Sequence, residues 1–266
     1  MIYRIDHDYH IHTKLSSCSK DEEQTVGRIV EYARKYRLER VCITDHFWDE
    51  GVLGASPWYR AQNLAHISKS KPFPDTRVTK ILFGCEGEMR RDKVVGIGDE
   101  TYSKFDFVII PTTHLHMDGF TIDALDIGST KRRAELWCER LEALFDMALP
   151  FRKIGIAHLA CPLLARDREA YLEVLRQIPS ERMADIFEKA ARLGVGIEIN
   201  KSDMSYSDPE ESTVLRIFRI ARSVGCKFYL GSDAHHPSAL DEAGEVFERA
   251  IRRLDLLESD KFHIGE

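Results

Sequence analysis

The stretch HIHTKLSSC carries two histidines one residue apart, His10 and His12, and it ends on a lone cysteine, Cys18. Side chains two positions apart on an extended strand project to the same face. Two imidazole nitrogens on one face can bind a single metal ion. The pair alone is a weak signal, because solvated histidines at a polar strand end would give the same spacing.

Five further segments place histidine or carboxylate side chains directly after a short apolar run. The segments are ITDHF with Asp45 and His46, GCEGEM with Glu86 and Glu88, TTHLHM with His114 and His116, GIAHL with His158, and GSDAHHP with Asp233 and His235. Each has an ordinary explanation when taken alone: Asp45 can cap a turn, Glu86 can be a surface residue, and His158 can be hydrogen-bonded in the core. All of these explanations would have to hold together, so we expect one shared site.

The elements that must position these residues are repeated βα units. Short runs rich in Val, Ile and Phe alternate with longer stretches of helical period, as around a parallel sheet. The predicted strands cover residues 3–12, 40–45, 79–86, 105–114, 154–158, 196–200 and 227–231. The predicted helices cover residues 22–36, 131–147, 181–193, 209–224 and 237–254, and residues 49–75 form a long loop with at most one helix. Loops of that length in compact domains are often functional.

No Pro-, Gly- or Ser-rich linker divides the chain, so the sequence predicts one α/β domain over residues 1–266. Single β/α barrels commonly reach this length. In such a barrel the carboxyl ends of the strands form the rim where active sites are built. The candidate ligands follow predicted strands, so residues that are distant in sequence are expected to meet there.

Composition excludes several other classes of protein. The 38 Lys and Arg against 44 Asp and Glu give a net charge of −6, without a basic run typical of a nucleic-acid tail. The apolar runs, such as FVIIP, are the length of strands, and the amino-terminal residues lack the apolar core of a signal peptide. We therefore expect a cytoplasmic protein that does not bind membranes, and nothing in the sequence specifies an oligomeric state.

The six cysteines lack close spacings such as CxxC, which argues against a disulfide framework or a zinc ribbon. Imidazole and carboxylate ligands without a set of thiolates suit Zn, Mn or Fe at a hydrolytic site better than a closed structural zinc. Two assignments stay open at this point. Glu88 competes with Glu86, and only one of His114 and His116 need be a ligand.

Together these residues resemble the PHP family, named for polymerase and histidinol phosphatase. The motifs that carry the resemblance are HxHT, here HIHT; TDH, here Thr44 to His46; GxE, here Gly84 to Glu86; two isolated strand-end histidines; and SDAH, here Ser232 to His235. Their order and spacing match from His10 to His235. The resemblance implies a distorted (β/α)7 TIM-like barrel with two or three divalent metal ions (Zn, Mn or Fe) at its rim, and hydrolysis of phosphoesters.

The resemblance also implies how the ligands are shared among three ions. The first ion would be bound by His10, His12, Glu86 and Asp233, the second by Glu86, His114 and His158, and the third by His46 and His235. Family members commonly carry another histidine at the position of Cys18. A thiolate binds zinc well, so we slightly favour Cys18 as a ligand of the third ion, against the alternative that it points away.

The resemblance implies in-line attack by a hydroxide that two metal ions activate. Asp233 would orient it, and His235 or a metal-bound group would help to protonate the leaving alkoxide. Substrate anions would also contact Asn200, Lys201 and Arg166, with Lys14 and Arg60 as further basic candidates near the rim. Each basic residue is equally well explained as a solvated surface side chain.

The expected substrate is a small phosphomonoester, and histidinol phosphate is one possibility. A phosphodiesterase or exonuclease acting on nucleic acid is the alternative, supported only by the aromatic residues Trp48, Trp58 and Tyr59 in the long loop. Two further alternatives are a non-catalytic domain that has lost its metals and an amidohydrolase. The near-complete set of ligands argues against the former, and the TDH and SDAH histidines argue against the latter.

Overall fold

The computed structural model describes all 266 residues, and its central feature is a barrel of parallel strands. The strands are β1 (His7–Ile11), β2 (Arg40–Ile43), β3 (His46–Phe47), β4 (Lys80–Gly87), β5 (Phe107–Pro111), β6 (Ile154–Ala157), β7 (Gly196–Asn200) and β8 (Lys227–Gly231). They pair in the order β1-β2-β4-β5-β6-β7-β8, and every pairing is parallel. The short β3 also pairs with β4, so β2 and β3 share one position in the barrel. The predicted TIM-like barrel of seven strands is confirmed.

The barrel is nearly closed by the residues that follow β8. The amide of Asp233 donates to the carbonyl of His10 at 2.7 Å, and the amide of His12 donates to the carbonyl of Ala234 at 3.1 Å. Ile11 and Ala234 form a parallel bridge. The two ends of the sheet therefore meet at the carboxyl end of the strands, where the SDAH and HxHT segments lie side by side.

Helices surround the barrel and connect its strands. They are α1 (Val26–Lys35), α2 (Pro57–Arg60), α3 (Leu64–Ile67), α4 (Thr130–Phe145), α5 (Arg168–Gln177), α6 (Ser180–Leu193), α7 (Glu211–Ser223) and α8 (Pro237–Arg253). The long loop holds two one-turn helices instead of at most one. Helix α5 was not predicted from the sequence. Asp167 caps this helix, and the helix buries Tyr171 and Leu175 on its inner face. None of the helices has both the length and the apolar character needed to cross a membrane.

The hydrophobic core has two parts. The larger one lies between the barrel and its helices, and a smaller one fills the barrel below the strand ends with Tyr9, Phe107 and Tyr229 among its members. Gly155 on β6 makes room for this filling, because a Cβ there would lie 2.6 Å from the ring of Tyr229. The barrel is therefore packed solid below its rim, and polar chemistry is confined to the end above this packing.

The long loop after β3 packs onto the segment that follows β5. The ring of Phe120 lies 5.6 Å from the ring of Trp48 and 5.6 Å from the ring of Tyr59, with which it is stacked. The side chains of Trp48 and Tyr59 are buried. Aromatic contacts of this kind fix the relative position of two loops. The loop thus forms a defined wall above the carboxyl end of the barrel.

Candidate metal centre

The predicted metal ligands come from separate strands and gather at one end of the barrel. His10 lies on β1 and Glu86 lies on β4, both near the carboxyl ends of their strands. His158 directly follows β6, and Asp233 follows β8 after one intervening residue. A cavity of about 720 Å³ opens at this end, and the ligands on its wall are His46, Glu86, His114, His158, Asp233 and His235.

Four ligand atoms face one another in the first cluster. Nε2 of His12 lies 3.0 Å from Nε2 of His10, 3.3 Å from Oε2 of Glu86 and 3.2 Å from Oδ1 of Asp233. Nε2 of His10 lies 3.6 Å from Oε2 of Glu86 and 3.4 Å from Oδ1 of Asp233. Ligand atoms about 2.0–2.1 Å from a tetrahedral zinc ion are about 3.3–3.4 Å apart. The observed separations therefore suit one such ion.

A second cluster consists of Glu86, His114 and His158, whose ligand atoms lie within 4.8 Å of one another. Glu86 takes part in both clusters through different oxygens. Its Oε1 lies 3.1 Å from Nε2 of His158 in the second cluster, while its Oε2 lies 3.3 Å from Nε2 of His12 in the first. A carboxylate that presents its two oxygens to two groups of imidazoles has the arrangement of a bridging ligand.

A third cluster joins His12, His46 and His235, again with ligand atoms within 4.8 Å of one another. The rings of His12 and His235 are stacked with centroids 3.9 Å apart. Cys18 lies on the wall of the same cavity but belongs to none of these clusters. Cys18 is exposed at the mouth of the cavity, but the surrounding protein partly desolvates its thiol, and this desolvation and the negative charge of Glu86 raise the pKa of the thiol to about 12. Ligation by Cys18 stays a prediction, and the structure adds His12 to the residues near the third position.

Buried acceptors hold the ligand rings in place. Nδ1 of His10 donates to Oε1 of Glu198 at 2.6 Å, and Nδ1 of His114 donates to Oε2 of Glu88 at 2.8 Å. When such a ring binds a metal ion, its Nδ1 keeps the proton that the carboxylate accepts, and its Nε2 is the nitrogen that faces the ion. Glu88, the competitor of Glu86 in the sequence, also accepts a hydrogen bond from the hydroxyl of Tyr59. It therefore orients the ring of His114 and is not a member of the clusters itself.

Glu198 is a functional residue that the sequence analysis missed. It lies in the middle of β7, and its side chain is buried inside the barrel. Its Oε2 accepts hydrogen bonds from the amide of His158 at 3.2 Å and from the side chain of Asn200 at 3.0 Å. The available signal was a carboxylate at the centre of the apolar strand GIEIN, where burial requires a partner.

Gly231 makes the contact between Glu198 and His10 possible. A Cβ at this position would lie 2.8 Å from Cβ of His10 and would overlap the carboxylate of Glu198. Real Cβ atoms do not approach other atoms so closely. The glycine at the end of β8 is therefore required by the close approach of two side chains from β1 and β7.

The electrostatics of the site keep its carboxylates ionised. Burial by itself would raise the pKa of Asp233, but His10 and His158 hold it well below its ordinary value. Burial would likewise raise the pKa of Glu86, and His46 and His10 hold it well below. For His10 burial lowers the pKa, but Glu198 and Asp233 outweigh it and raise the pKa well above its ordinary value. The pair of buried carboxylates attracts positive charge, whether protons or metal ions.

Several buried polar atoms at the site make no hydrogen bond of good geometry within the protein, although Nδ1 of His46 and Oε2 of Glu86 lie close together. They include Nδ1 of His46, Oε2 of Glu86 and Oδ1 of Asp233. Orphaned buried polar atoms are rare and costly. Three of them facing one another in a cluster of imidazoles and carboxylates fit the donor set that divalent zinc, manganese or iron binds. The residues present therefore fit the metal ions that the sequence predicts.

Two of the ligands lie in a strained backbone conformation. His158 has a φ of 60° and Asp233 a φ of 52°, a region that non-glycine residues rarely adopt. Hydrogen bonds hold each of them: Thr113 donates to the carbonyl of His158 at 2.6 Å, and the amide of Asp233 donates to His10. Strain that the surrounding structure maintains is typical of functional sites.

The predicted substrate contacts do not line the cavity. The amide of Asn200 is buried and bonded to Glu198, and Nζ of Lys201 pairs with Glu242 at 2.8 Å. Arg166 pairs with Asp118 at 2.9 Å in solvent. The structure gives these three residues other partners, so their role at the substrate stays a prediction without a contact to support it. Lys14 and Arg60 are exposed and are also absent from the wall.

A further buried carboxylate lies beside the second cluster. Ligand atoms of Asp203, Cys161 and His158 lie within 4.8 Å of one another. Oδ2 of Asp203 accepts a hydrogen bond from the amide of Ala160 at 3.0 Å, and Oδ1 has no partner. Burial raises the pKa of Asp203 to about 7. The sequence analysis did not identify this residue, because it lies in the loop after β7 without a recognisable motif.

Comparisons with known proteins identify a family and a similar fold. The PHP domain model matches residues 8–202. No curated protein sequence matches the chain. Among solved structures, the chain is similar to histidinol phosphate phosphatase from Lactococcus lactis in complex with zinc, L-histidinol and phosphate, with a TM-score of 0.55 and 16% identity over 97% of this chain and 99% of that chain.

A second similar structure is a candidate alpha-L-fucosidase from Bacteroides thetaiotaomicron, with a TM-score of 0.40 and 10% identity over 96% of this chain and 97% of that chain. A TM-score of 0.40 is too low to show that the two proteins share a fold. At 16% identity the likeness to the phosphatase shows the fold alone. The match to the family model covers the strands from β1 to β7 and most of the ligands described above.

Proposed function

The chain belongs to the PHP domain family, a family of metal-dependent phosphoesterases, and we propose that it hydrolyses small phosphomonoesters at the three clusters on its barrel rim. The observation that carries this proposal is the set of orphaned ligand atoms on His46, Glu86 and Asp233 at the base of one cavity. A cavity of about 720 Å³ suits a small molecule. Two or three divalent ions would occupy the clusters.

A phosphomonoester and its nucleophile are both negative, so their repulsion must be overcome in a site that itself contains carboxylates. Divalent ions bound there supply the positive charge and lower the pKa of water towards neutrality. The chain contributes the arrangement of the ligands. His10, His12 and Asp233 belong to the first cluster, and Glu86 connects it to His114 and His158 of the second.

Asp233 is proposed to orient the attacking water. Its Oδ1 faces His10 and His12, while its Oδ2 lies 3.7 Å from Nδ1 of His158. The carboxylate therefore reaches both of these clusters from one backbone position. Its low pKa keeps it ionised at neutral pH, so it can accept a hydrogen bond from a water molecule between the clusters.

His235 is proposed to serve the leaving oxygen. Its side chain is partly exposed to the cavity, and its Nδ1 donates to the backbone carbonyl of Asp233 at 2.9 Å. Burial and the neighbouring His12 lower its pKa to about 3, so its ring is neutral at pH 7. With Nδ1 bonded to the carbonyl, only Nε2 is left, and it can either bind a metal ion or accept a proton from a water molecule. If Nε2 is a ligand, the proton for the leaving oxygen would come from a water molecule beside the ring, and His235 would act by holding the ion in place.

The alternative, a phosphodiesterase or exonuclease, has less support. Grooves that bind single-stranded nucleic acid combine aromatic platforms with basic side chains along the backbone. Trp58 and Tyr59 line the cavity, but its wall contains neither lysine nor arginine. We therefore place the monoesterase first, and the wall favours a substrate with a single phosphate group.

The test is a substrate panel with the purified chain supplied in turn with zinc, manganese and iron(II). The panel contains methyl phosphate, phenyl phosphate and histidinol phosphate, the last because the Lactococcus phosphatase was solved with L-histidinol and phosphate. It also contains bis(4-nitrophenyl) phosphate, a short oligonucleotide and an amide. We expect release of inorganic phosphate from monoesters only. Turnover of the oligonucleotide or the amide without the monoesters would contradict the proposal.

Matched variants test whether a loss of activity comes from the metal centre or from damage elsewhere in the chain. Asp233→Asn keeps the size of the side chain and removes its charge, and we expect kcat to fall by about 10²–10⁴-fold. His263→Ala, an exposed histidine outside the cavity, is the control and should retain full activity. Equal losses in both variants would indicate damage to the fold rather than to the centre.

A further inference from the structure

The wall of the cavity beyond the metal ligands is mainly apolar, with His116 and Ser202 as its uncharged polar members. Trp58 and Tyr59 come from the long loop, Met117 follows β5, and Pro162 and Leu163 follow β6. Lysine and arginine are missing from the wall. Its only carboxylates are Glu86 and Asp233, and both belong to the metal clusters.

The apolar wall reaches down to the metal ligands. The ring of Trp58 lies 5.1 Å from the ring of His46, which it meets at 66°. It also packs against Tyr59 with centroids 4.6 Å apart, and the hydroxyl of Tyr59 donates to the buried Glu88 at 3.1 Å. Trp58 is thereby held between the loop and the third cluster. A group esterified to a phosphate at the clusters would extend along this ring.

The same wall leaves apolar surface open to the cavity. Trp58 is 38% exposed and Leu163 is 39% exposed. Leu163 is held by a short helical turn, in which its amide donates to Sγ of Cys161 at 3.3 Å. Covering exposed apolar surface with an apolar ligand is favourable in proportion to the area removed from water. The wall is therefore suited to an aromatic or aliphatic group.

A charged group in this position would lose its hydration without finding an opposite charge. To form an ion pair, an ammonium group needs a carboxylate that metal ions do not already occupy, and an additional carboxylate group needs a lysine or arginine. The cavity wall offers neither, and the rings of Trp58 and Tyr59 offer an ammonium group only a cation–π contact. The nearby Arg166 is engaged with Asp118 outside the wall. Desolvation of an unpaired charge carries a penalty large enough to decide between substrates.

From the composition of this wall we propose that the substrate is the phosphomonoester of an uncharged, apolar alcohol, whose body packs on Trp58, Met117 and Leu163. The inference rests on the phosphomonoesterase activity proposed above. It assigns the metal clusters to the phosphate and the apolar wall to the leaving alcohol. Trp58 and Leu163 are then determinants of specificity, and a substrate whose alcohol carries an ammonium group is disfavoured.

The test compares substrates that differ in charge but hardly in leaving-group chemistry. Benzyl phosphate, 4-(aminomethyl)benzyl phosphate and methyl phosphate are offered to the full-length, metal-loaded chain. We expect kcat/KM for benzyl phosphate to exceed that for the ammonium derivative by at least about tenfold, the discrimination expected from one unpaired buried group. Equal or better turnover of the ammonium derivative would overturn the inference and leave the proposed function standing. Hydrolysis of none of the three would overturn both.

Two variants locate the effect at the wall. Trp58→Ala should raise KM for benzyl phosphate about tenfold and leave methyl phosphate unchanged, because only the larger alcohol reaches the ring. Leu53→Ala removes an exposed apolar side chain of the same loop outside the cavity and should change neither. An equal loss for both substrates in Trp58→Ala would contradict the assignment.

Leu163→Glu adds the carboxylate that the wall lacks. It should improve turnover of the ammonium derivative relative to benzyl phosphate by at least about tenfold, a gain that damage to the fold does not produce. If the ratio of the two substrates stays unchanged in a folded Leu163→Glu protein, the alcohol does not contact this wall and the inference is wrong.

Discussion

Nδ1 of His10 lies 2.6 Å from Oε1 of Glu198, and both side chains are fully buried. The two residues are on β1 and β7, so the contact spans the interior of the barrel. A carboxylate that accepts the proton of Nδ1 leaves Nε2 of the imidazole free for a metal ion. Glu198 on β7 therefore orients His10 on β1 for metal binding.

Replacing Glu198 by Gln should weaken metal binding without removing a ligand. The amide can bond His10 but no longer stabilises its ring through charge, and loss of such a supporting carboxylate lowers metal affinity about 10–100-fold. Zinc titration of the metal-free protein measures the change. Glu245→Gln, an exposed substitution, should leave the affinity unchanged. An unaltered affinity in Glu198→Gln would show that the contact does not orient the ligand.

Gly231→Ala should destabilise the protein, because the added methyl group would overlap Glu198 and approach Cβ of His10 to 2.8 Å. Overpacking of this kind costs about 1–3 kcal/mol. Urea unfolding of the metal-free chain measures the loss. Gly128→Ala meets no atom within 4 Å and should change the free energy of unfolding by less than about 0.5 kcal/mol. Equal stability of the two variants would contradict the close approach.

Cys18→Ser tests whether the thiol completes the third cluster. If the thiolate is a ligand, the variant should lose about one equivalent of bound zinc, since loss of a ligand weakens a site sharply. Metal analysis after dialysis gives the count, and His235→Ala serves as the positive control for the same cluster. Unchanged zinc in Cys18→Ser, with zinc lost in His235→Ala, would show that His12, His46 and His235 form the site without the thiol.

Divalent metal ions should stabilise the fold. The orphaned atoms of Glu86 and Asp233 gain a partner when an ion binds, and an ion that binds only the folded state adds about 2.7 kcal/mol at 100 times its Kd. Thermal unfolding with zinc and after chelation measures the shift in Tm. Glu86→Gln should show a smaller shift in Tm, because Glu86 lies beside an imidazole of each of the three clusters. A Tm that does not respond to metal would contradict the assignment of the clusters.

Asp6 lies at the end of the barrel away from the metal site, and it should make the free energy of unfolding depend on pH in the acid range. Burial would raise its pKa, but hydrogen bonds from His7 and Lys261, both at 2.8 Å, lower it well below its ordinary value. Because the pKa of Asp6 is lower in the folded protein, its ionised carboxylate stabilises the fold fully at pH values above the unfolded-state pKa of about 3.9. This stabilisation is lost as the pH falls through the folded-state pKa.

The advantage of the native protein over Asp6→Asn should therefore shrink by about 1 kcal/mol between pH 5 and pH 3. Urea unfolding at several pH values measures this difference. Asp123→Asn, at an exposed position for which no such ion pair exists, should show no comparable change. A constant difference between the native protein and Asp6→Asn across this range would show that the contacts do not stabilise the ionised carboxylate.

The sequence by itself determined the barrel and the residues at its rim. Strand positions follow from short apolar runs, and a residue just after a parallel strand must lie at the carboxyl end of the sheet. This is why the sequence alone predicts that His10, Glu86, His158 and Asp233 lie together. Both inferences are local, because they depend on a strand's own composition and direction.

Only the tertiary structure decided which side chains meet across the barrel. Glu198 reaches His10 because β7, β8 and β1 are neighbours in one register, and Gly231 leaves the space between them. Nothing near either residue in the sequence specifies that distance. The same holds for the apolar wall, since Trp58 and Leu163 share a cavity only through the packing of separate loops. Strand order, register and loop packing are properties of the whole chain, and so are the contacts that depend on them.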